Sequence, residues 1–215
     1  MNVLQEALKQ KILPAITFED AAHALPVAEA FLNAGLNVIE IPVRTADALK
    51  SITSIRNKFP AMFVGAGTLL SVTTLKQALN AGAQFGLSSS LNVTICNEAN
   101  TLQLPFIPGV MTPSEIELAY ESGCSIQKLF PAEQIGGPSF LKAMQGPYDQ
   151  LNIQFVPMGG ISISNMHLYH ALKNVIAIGG SWLASKEMIA SKNYKGIEAT
   201  VKEALQRIAE DNSED

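Results

Sequence analysis

Two ionisable side chains lie inside runs of otherwise apolar residues, and they are the strongest candidates for chemistry. Lys128 lies in the run 125–130, and Glu40 lies in the run 37–42. A buried ammonium costs several kcal/mol of desolvation unless it is paired or neutral. Because only a neutral amine attacks a carbonyl group, this context is typical of a Schiff-base lysine. A structural ion pair with Glu40, or a lysine that reaches solvent from a strand end, explains the context equally well.

Glu40 also has two interpretations. A carboxylate flanked by apolar side chains suits a general base whose pKa is raised by burial. It equally suits a passive ionic partner of Lys128 or of Arg44. Arg44 would share a face with Glu40 if the strand continued past Pro42, and a guanidinium at a strand end fits a substrate carboxylate.

Eight short apolar runs, each followed by an amphipathic stretch, must position these side chains. Near-continuous apolarity is typical of strands that are buried on both faces. The runs recur at intervals of about 20–28 residues, which suits a strand, a tight turn and a helix. They cover residues 12–17, 37–42, 62–67, 84–88, 104–109, 125–130, 153–157 and 175–179.

Eight such units predict an α/β protein with the fold of a compact (β/α)8 TIM barrel, in a single domain over residues 1–215. An open doubly wound sheet is the alternative, although the first turn, 17–20, has no phosphate-loop glycine. We expect an extra N-terminal helix over 2–11, a closing helix over 187–210 and a frayed tail over 211–215. Ser71 and Thr112 are predicted helix caps.

Three glycine-bearing turns follow the third, seventh and eighth runs. They are residues 65–68 (GAGT), the pair Gly159 and Gly160, and residues 179–181 (GGS). Backbone without side chains can approach an oxyanion closely, and such barrels commonly bind phosphate after their last two strands. The two later turns therefore predict a phosphate site, with simple tight turns as the alternative.

The other reactive residue types are easier to set aside. The three histidines fall within predicted helices, and no nearby carboxylate or cysteine would complete a metal site; they are His23, His167 and His170. Cys96 falls in a helix and Cys124 at the start of a strand, a pattern that indicates neither a disulfide framework nor a zinc site. We therefore predict a lysine enzyme that uses no metal and no cofactor.

Composition argues against several classes of function. The 215 residues carry 15 basic and 19 acidic side chains, a formal charge of −4, without a long run of lysine and arginine. We therefore expect no nucleic-acid partner and no membrane partner. No apolar stretch approaches the ~20 residues that span a bilayer, and residues 1–11 lack the apolar core of a signal peptide. These features predict a soluble, cytoplasmic protein.

Five motifs occur in an order that resembles a known family. They are residues 40–45 (EIPVRT), 64–68 (VGAGT), 128–133 (KLFPAE), 159–162 (GGIS) and 179–182 (GGSW). This pattern resembles the bacterial 2-keto-3-deoxy-6-phosphogluconate (KDPG) aldolases, class I enzymes that also act as 4-hydroxy-2-oxoglutarate (KHG) aldolases. The resemblance covers nearly the whole chain, and it favours the functional interpretation of Lys128.

The resemblance implies a role for each matching residue. Lys128 would be the Schiff-base lysine and Glu40 the acid–base group. The other matches would contact the substrate: Arg44 and Thr68 at the pyruvyl carboxylate, Phe130 beside the substrate, and Gly159, Gly160, Gly180 and Ser181 at the phosphate. The implied reaction cleaves KDPG, a phosphorylated keto acid, to pyruvate and glyceraldehyde 3-phosphate, and KHG to pyruvate and glyoxylate. The implied assembly is a homotrimer.

Two positions depart from the family pattern. After the fourth strand the family has Ser-Pro-Gly, where this chain has three serines with Ser89 in the middle. Before the paired glycines the family has threonine, where this chain has Met158. Both positions lie near the substrate in the family, so they leave the lysine chemistry intact and the sugar-acid preference open. The alternatives are an aldolase for the phosphogalactonate epimer or mainly for KHG, and a weakly active barrel that binds a phosphorylated metabolite.

Overall fold

The structure, a computed structural model, describes residues 3–211, in which strands and helices alternate. The strands are β1 (Ile12–Pro14), β2 (Val38–Pro42), β3 (Phe63–Gly67), β4 (Phe85–Leu87), β5 (Phe106–Ile107), β6 (Gly109–Val110), β7 (Ile126–Leu129), β8 (Gln154–Phe155) and β9 (Ile178–Gly180). The α-helices are α1 (Val3–Ala7), α2 (Ala24–Asn33), α3 (Ala48–Lys58), α4 (Val72–Asn80), α5 (Val93–Thr101), α6 (Pro113–Glu121), α7 (Gly137–Tyr148), α8 (Met166–His170), α9 (Lys186–Ala190) and α10 (Tyr194–Asp211). Within residues 3–211 no helix combines the length and the apolarity that crossing a membrane requires.

The strands pair in parallel and follow one another in cyclic order. Their ladders form three sheets, in the orders β1-β9, β2-β3-β4-β5 and β6-β7-β8. Isolated parallel bridges join the sheets, from Ala15 to Glu40 and from Met158 to Gly179. The eight predicted runs all contain strand, and β5 and β6 are two parts of one run on either side of Pro108. This is the arrangement of a (β/α)8 barrel, as the sequence predicts.

The local sequence explains why these elements form. All residues of β2 are buried, which matches its unbroken apolar run around Glu40. Ser71 and Thr112 begin α4 and α6 as predicted, each with a reciprocal capping box. Buried apolar residues from Leu4 to Ile208 form one core cluster.

Both predicted terminal helices differ from expectation. The N-terminal helix is shorter than 2–11, because α1 ends at Ala7 and the chain turns through Lys11, at φ 59°, into β1. The predicted closing helix, 187–210, is two helices, α9 and α10. A left-handed residue, Lys192 at φ 56°, separates them. Residue 2 and the predicted frayed tail lie outside the described residues, except for Asp211, where α10 ends.

Candidate active site

A cavity at the carboxyl end of the barrel brings the sequence-predicted residues together. Its volume is about 410 Å³. Strands far apart in sequence contribute to it, because the parallel strands of a barrel all end at the same face. Every predicted site residue lines it: Glu40, Arg44, Thr68, Ser89, Lys128, Phe130, Gly159, Gly160, Gly180 and Ser181.

Lys128 and Glu40 face each other inside this cavity. Lys128 lies on β7 and Glu40 on β2, and they are only 6% and 1% exposed. Lys128 Nζ lies 4.0 Å from Glu40 Oε1 and 5.1 Å from the centroid of the Phe130 ring. A distance of 4.0 Å is an ion-pair contact but too long for a hydrogen bond. The amine is therefore close to the carboxylate without being hydrogen-bonded to it.

Burial dominates the electrostatics of Glu40. Desolvation raises the pKa of its carboxyl group, and the charges of Lys128 and Arg44 oppose that rise without cancelling it. Within the described part of the chain, Glu40 Oε2 is buried and has no hydrogen-bond partner. A carboxyl group with a raised pKa and an unengaged oxygen suits proton transfer.

Gly67 makes room for this carboxylate. Gly67 lies opposite Pro42 in the ladder between β2 and β3. A β-carbon at Gly67 would overlap Glu40 Oε1 and lie 2.6 Å from the carboxyl carbon. The second glycine of the GAGT segment therefore has a steric reason, which is the close approach of the Glu40 carboxylate to the backbone.

Arg44 and Thr68 reach the cavity from the turns that follow β2 and β3. Because β2 ends at Pro42, Arg44 is placed by the turn and not by strand alternation. Its Nη2 donates a hydrogen bond of 2.8 Å to Thr17 Oγ1, which orients the guanidinium. Thr68 has φ 56°, a left-handed conformation that is rare for a β-branched residue. Backbone strain of this kind clusters at functional sites.

The turn after β8 offers backbone donors to the cavity. Gly159 and Gly160 have φ values of 96° and 84°, which favour glycine. Gly159 O accepts from Glu133 N at 3.1 Å, and Gly160 O accepts from Asn165 Nδ2 at 3.1 Å. Among residues 3–211 the two glycine N–H groups donate to no protein acceptor. They are therefore available to an anion.

Sequence reasoning did not assign a contact to five other lining residues. They are Ala15, Pro42, Met158, Ile161 and Trp182. Apolar side chains give no chemical signal, although Trp182 ends the GGSW motif and Met158 marks a departure from the family pattern. Met158 fills space that Gly179 leaves open, since a β-carbon at Gly179 would lie 2.8 Å from Met158 Cγ.

The reactive residues that the sequence set aside lie away from the cavity. His23 Nδ1 hydrogen-bonds with Tyr194 Oη at 2.9 Å, and Cys96 and Cys124 are free and buried. Within the described residues, no group of three or more histidine, cysteine, aspartate and glutamate side chains could hold a metal ion.

Comparison with known proteins assigns this arrangement to a family. The model of the KDPG and KHG aldolase family matches residues 3–200. The chain belongs to that family. Members of the family are carbon–carbon lyases, so the chain is an aldolase. The 2-dehydro-3-deoxy-phosphogluconate aldolase of Pseudomonas aeruginosa is 40% identical over 200 residues, which cover 93% of this chain and 90% of that protein.

Solved structures of KDPG aldolases have the same fold. The enzyme from Legionella pneumophila, with pyruvate captured as a covalent carbinolamine, has a TM-score of 0.90 and 32% identity, covering 94% of this chain and 97% of that one. The enzyme from Zymomonas mobilis with 3-phosphoglycerate has a TM-score of 0.85 and 34% identity, covering 95% of each chain. These likenesses confirm the predicted barrel and the predicted family.

Substituting Gly67 tests the steric role of this glycine. Gly67→Ala should reduce kcat/KM for aldol cleavage by about 10- to 100-fold, because the added methyl displaces the Glu40 carboxylate. Gly146→Ala is the matched control, since a β-carbon at Gly146, inside α7, meets nothing within 4 Å. Steady-state kinetics of both variants check this. Equal activity of the two alanine variants would contradict the steric role.

The pH dependence of stability tests the burial of Glu40. Its folded-state pKa lies above the ordinary value of 4.5, so the folded protein keeps a proton that the unfolded chain has already lost. Folding stability therefore falls as pH rises from 4.5 through the folded pKa. Glu40→Gln removes this titration, so its unfolding free energy relative to wild type should increase across that window. Urea denaturation at a series of pH values measures the difference, and a pH-independent difference would refute the burial effect.

Proposed function

We propose that this aldolase cleaves KDPG to pyruvate and glyceraldehyde 3-phosphate through a Schiff base on Lys128, and KHG to pyruvate and glyoxylate. One observation carries the proposal: the buried Lys128 amine lies 4.0 Å from the Glu40 carboxylate, in a cavity that also contains the glycine turns. The Legionella relative supports it, because pyruvate is held there as a covalent carbinolamine.

Lys128 supplies the nucleophile. Its neutral amine attacks the C2 ketone of the substrate, and the resulting carbinolamine takes up a proton and loses water to form a protonated imine. Phe130, whose ring lies 5.1 Å from Nζ, provides an apolar wall beside this reaction. The iminium cation is the electron sink for cleavage, so the proposed reaction needs neither a metal nor a cofactor.

Glu40 moves the protons. Its carboxylate removes the proton of the C4 hydroxyl group, directly or through a water molecule, and the C3–C4 bond breaks. The bonding electrons form an enamine with the former iminium, and the aldehyde leaves. Glu40 then returns a proton to C3, and water hydrolyses the regenerated iminium to release pyruvate and the free amine.

The rest of the cavity would hold the two ends of the substrate. Arg44 and Thr68 suit the carboxylate next to C2, because a guanidinium and a hydroxyl group both donate to carboxylate oxygens. Ser89 would contact the middle of the substrate. The N–H groups of the glycine turn, together with Gly180 and Ser181, suit the phosphate. The Zymomonas relative contains 3-phosphoglycerate, which supports a phosphate subsite in this barrel.

For the assembly we propose a cytoplasmic homotrimer in which residues 1–215 form one domain of each subunit. Exposed large apolar side chains support a subunit interface: Leu70, Met111, Leu118, Tyr120 and Leu168. Light scattering should then give three times the monomer mass of 23.0 kDa, and a monomer mass would refute the assembly.

Reductive trapping tests the proposed nucleophile. Borohydride in the presence of pyruvate should leave a covalent adduct on Lys128, located by peptide mass spectrometry, because reduction fixes an imine as a stable amine. Lys128→Met should give no adduct. Lys76→Met is the matched control, at a lysine whose side chain is 53% exposed, and should be modified like wild type. An adduct on another lysine, or none, would overturn the mechanism.

Comparing substrates tests the proposed specificity. Turnover of KDPG, of the phosphogalactonate epimer and of KHG should show a higher kcat/KM for the two phosphorylated substrates than for KHG, since the glycine turn binds their phosphate. Between those two, KDPG should have the higher kcat/KM, because it is the substrate for which the Pseudomonas aeruginosa relative is named. A higher kcat/KM for the epimer or for KHG would assign that substrate instead. An adduct without turnover of any of the three would favour a weakly active metabolite-binding barrel.

A further inference from the structure

The glycine turn rests on the segment that follows the lysine-bearing strand. Ala132 N donates to Met158 O at 2.7 Å, and Glu133 N donates to Gly159 O at 3.1 Å. The side chain of Glu133 packs directly on Gly160, since a β-carbon there would lie 2.5 Å from Glu133 Cγ and 2.6 Å from its Cβ. The position of this turn therefore depends on the conformation of Glu133.

Tyr169 on α8 holds the Glu133 side chain in place. The Tyr169 hydroxyl donates a hydrogen bond to Glu133 Oε1, and Tyr169 is fully buried. Burial above all, and then the Glu133 carboxylate, raise the pKa of Tyr169, so the hydroxyl group remains a donor. Gly137 leaves room for this hydrogen bond, because a β-carbon there would lie 2.9 Å from Tyr169 Oη and 3.0 Å from Glu133 Oε1.

This hydrogen bond separates a negative charge from a turn suited to anions. A carboxylate that swung towards Gly160 would repel a bound phosphate. The atoms of Glu133 nearest to Gly160 are instead the aliphatic Cβ and Cγ, while Oε1 is held by Tyr169. The pair thus has two effects on the turn, which are to support its backbone and to keep a charge away from it.

We propose that Tyr169 and Glu133 are positioning residues that prepare the Gly159–Gly160 turn for the phosphate end of the substrate. This inference rests on the proposed function, in which that turn binds phosphate. Neither residue lines the cavity, so both act through the turn. They should influence phosphorylated ligands and leave the chemistry at Lys128 unaffected.

Tyr169→Phe removes the hydroxyl group while keeping the buried ring. It should raise the KM for KDPG and the inhibition constant of inorganic phosphate by about 5- to 20-fold, which is less than the full contribution of a hydrogen bond to a charged group because Tyr169 acts on the ligand only through the turn. The kcat/KM for KHG and the rate of pyruvate trapping should stay at the wild-type level. Tyr148→Phe is the matched control, because Tyr148 donates to Glu117 Oε1 at 2.8 Å and is 7% exposed, outside the cavity.

Glu133→Gln is the conservative second variant. Its amide oxygen can still accept from Tyr169, so it should keep the wild-type inhibition constant of phosphate to within about threefold. Equal losses on KDPG and KHG in Tyr169→Phe, or a loss in Glu133→Gln as large as in Tyr169→Phe, would overturn the positioning role. So would an unchanged phosphate constant in Tyr169→Phe.

The wild-type enzyme separates this inference from the proposed function. If inorganic phosphate does not inhibit the wild-type enzyme, the proposed phosphate subsite fails, and the positioning role fails with it. If phosphate inhibits wild type and Tyr169→Phe equally, the subsite stands and only the positioning role fails.

Discussion

The cost of burying two ionisable groups inside a ring of apolar strands constrains the whole site. Lys128 and Glu40 are 6% and 1% exposed, and the charge of Lys128, whose Nζ lies 4.0 Å from Glu40 Oε1, lowers the cost of ionising Glu40. The compensation is incomplete for Glu40, whose pKa remains raised and whose Oε2 has no partner within the described residues. Groups that the fold leaves electrostatically unsatisfied are those that a substrate can engage.

One stretch of chain connects the two ends of the site. β7 carries Lys128, and Phe130 follows at its end. The backbone N–H groups of Ala132 and Glu133 then donate to the carbonyl oxygens of Met158 and Gly159 in the glycine turn. Lys128, the proposed nucleophile, and the Gly159–Gly160 turn, the proposed phosphate site, are therefore connected by a strand and its direct continuation. Rigid elements hold reacting groups more accurately than free loops do, and a substrate of fixed length needs that accuracy.

Local sequence predicts the strands and most of the site because both leave local signatures. A strand buried on both faces is an apolar run, and Lys128 and Glu40 interrupt such runs. The break at Pro108 also has a local cause, since proline has no N–H to donate to a strand ladder. The left-handed Lys192, which divides the closing helix, instead depends on how the chain must bend to meet its neighbours. The pair of Tyr169 and Glu133, 36 residues apart, becomes visible only when the fold places α8 beside the end of β7.

Crystals soaked with pyruvate would test most directly whether Lys128 is the nucleophile. We expect continuous electron density between Lys128 Nζ and C2 of pyruvate, with the pyruvate carboxylate near Arg44 and Thr68 and with Glu40 facing C3. Pyruvate bound without a covalent bond to Lys128, or Lys128 hydrogen-bonded to Glu40 with pyruvate elsewhere, would contradict the role of Lys128 as nucleophile.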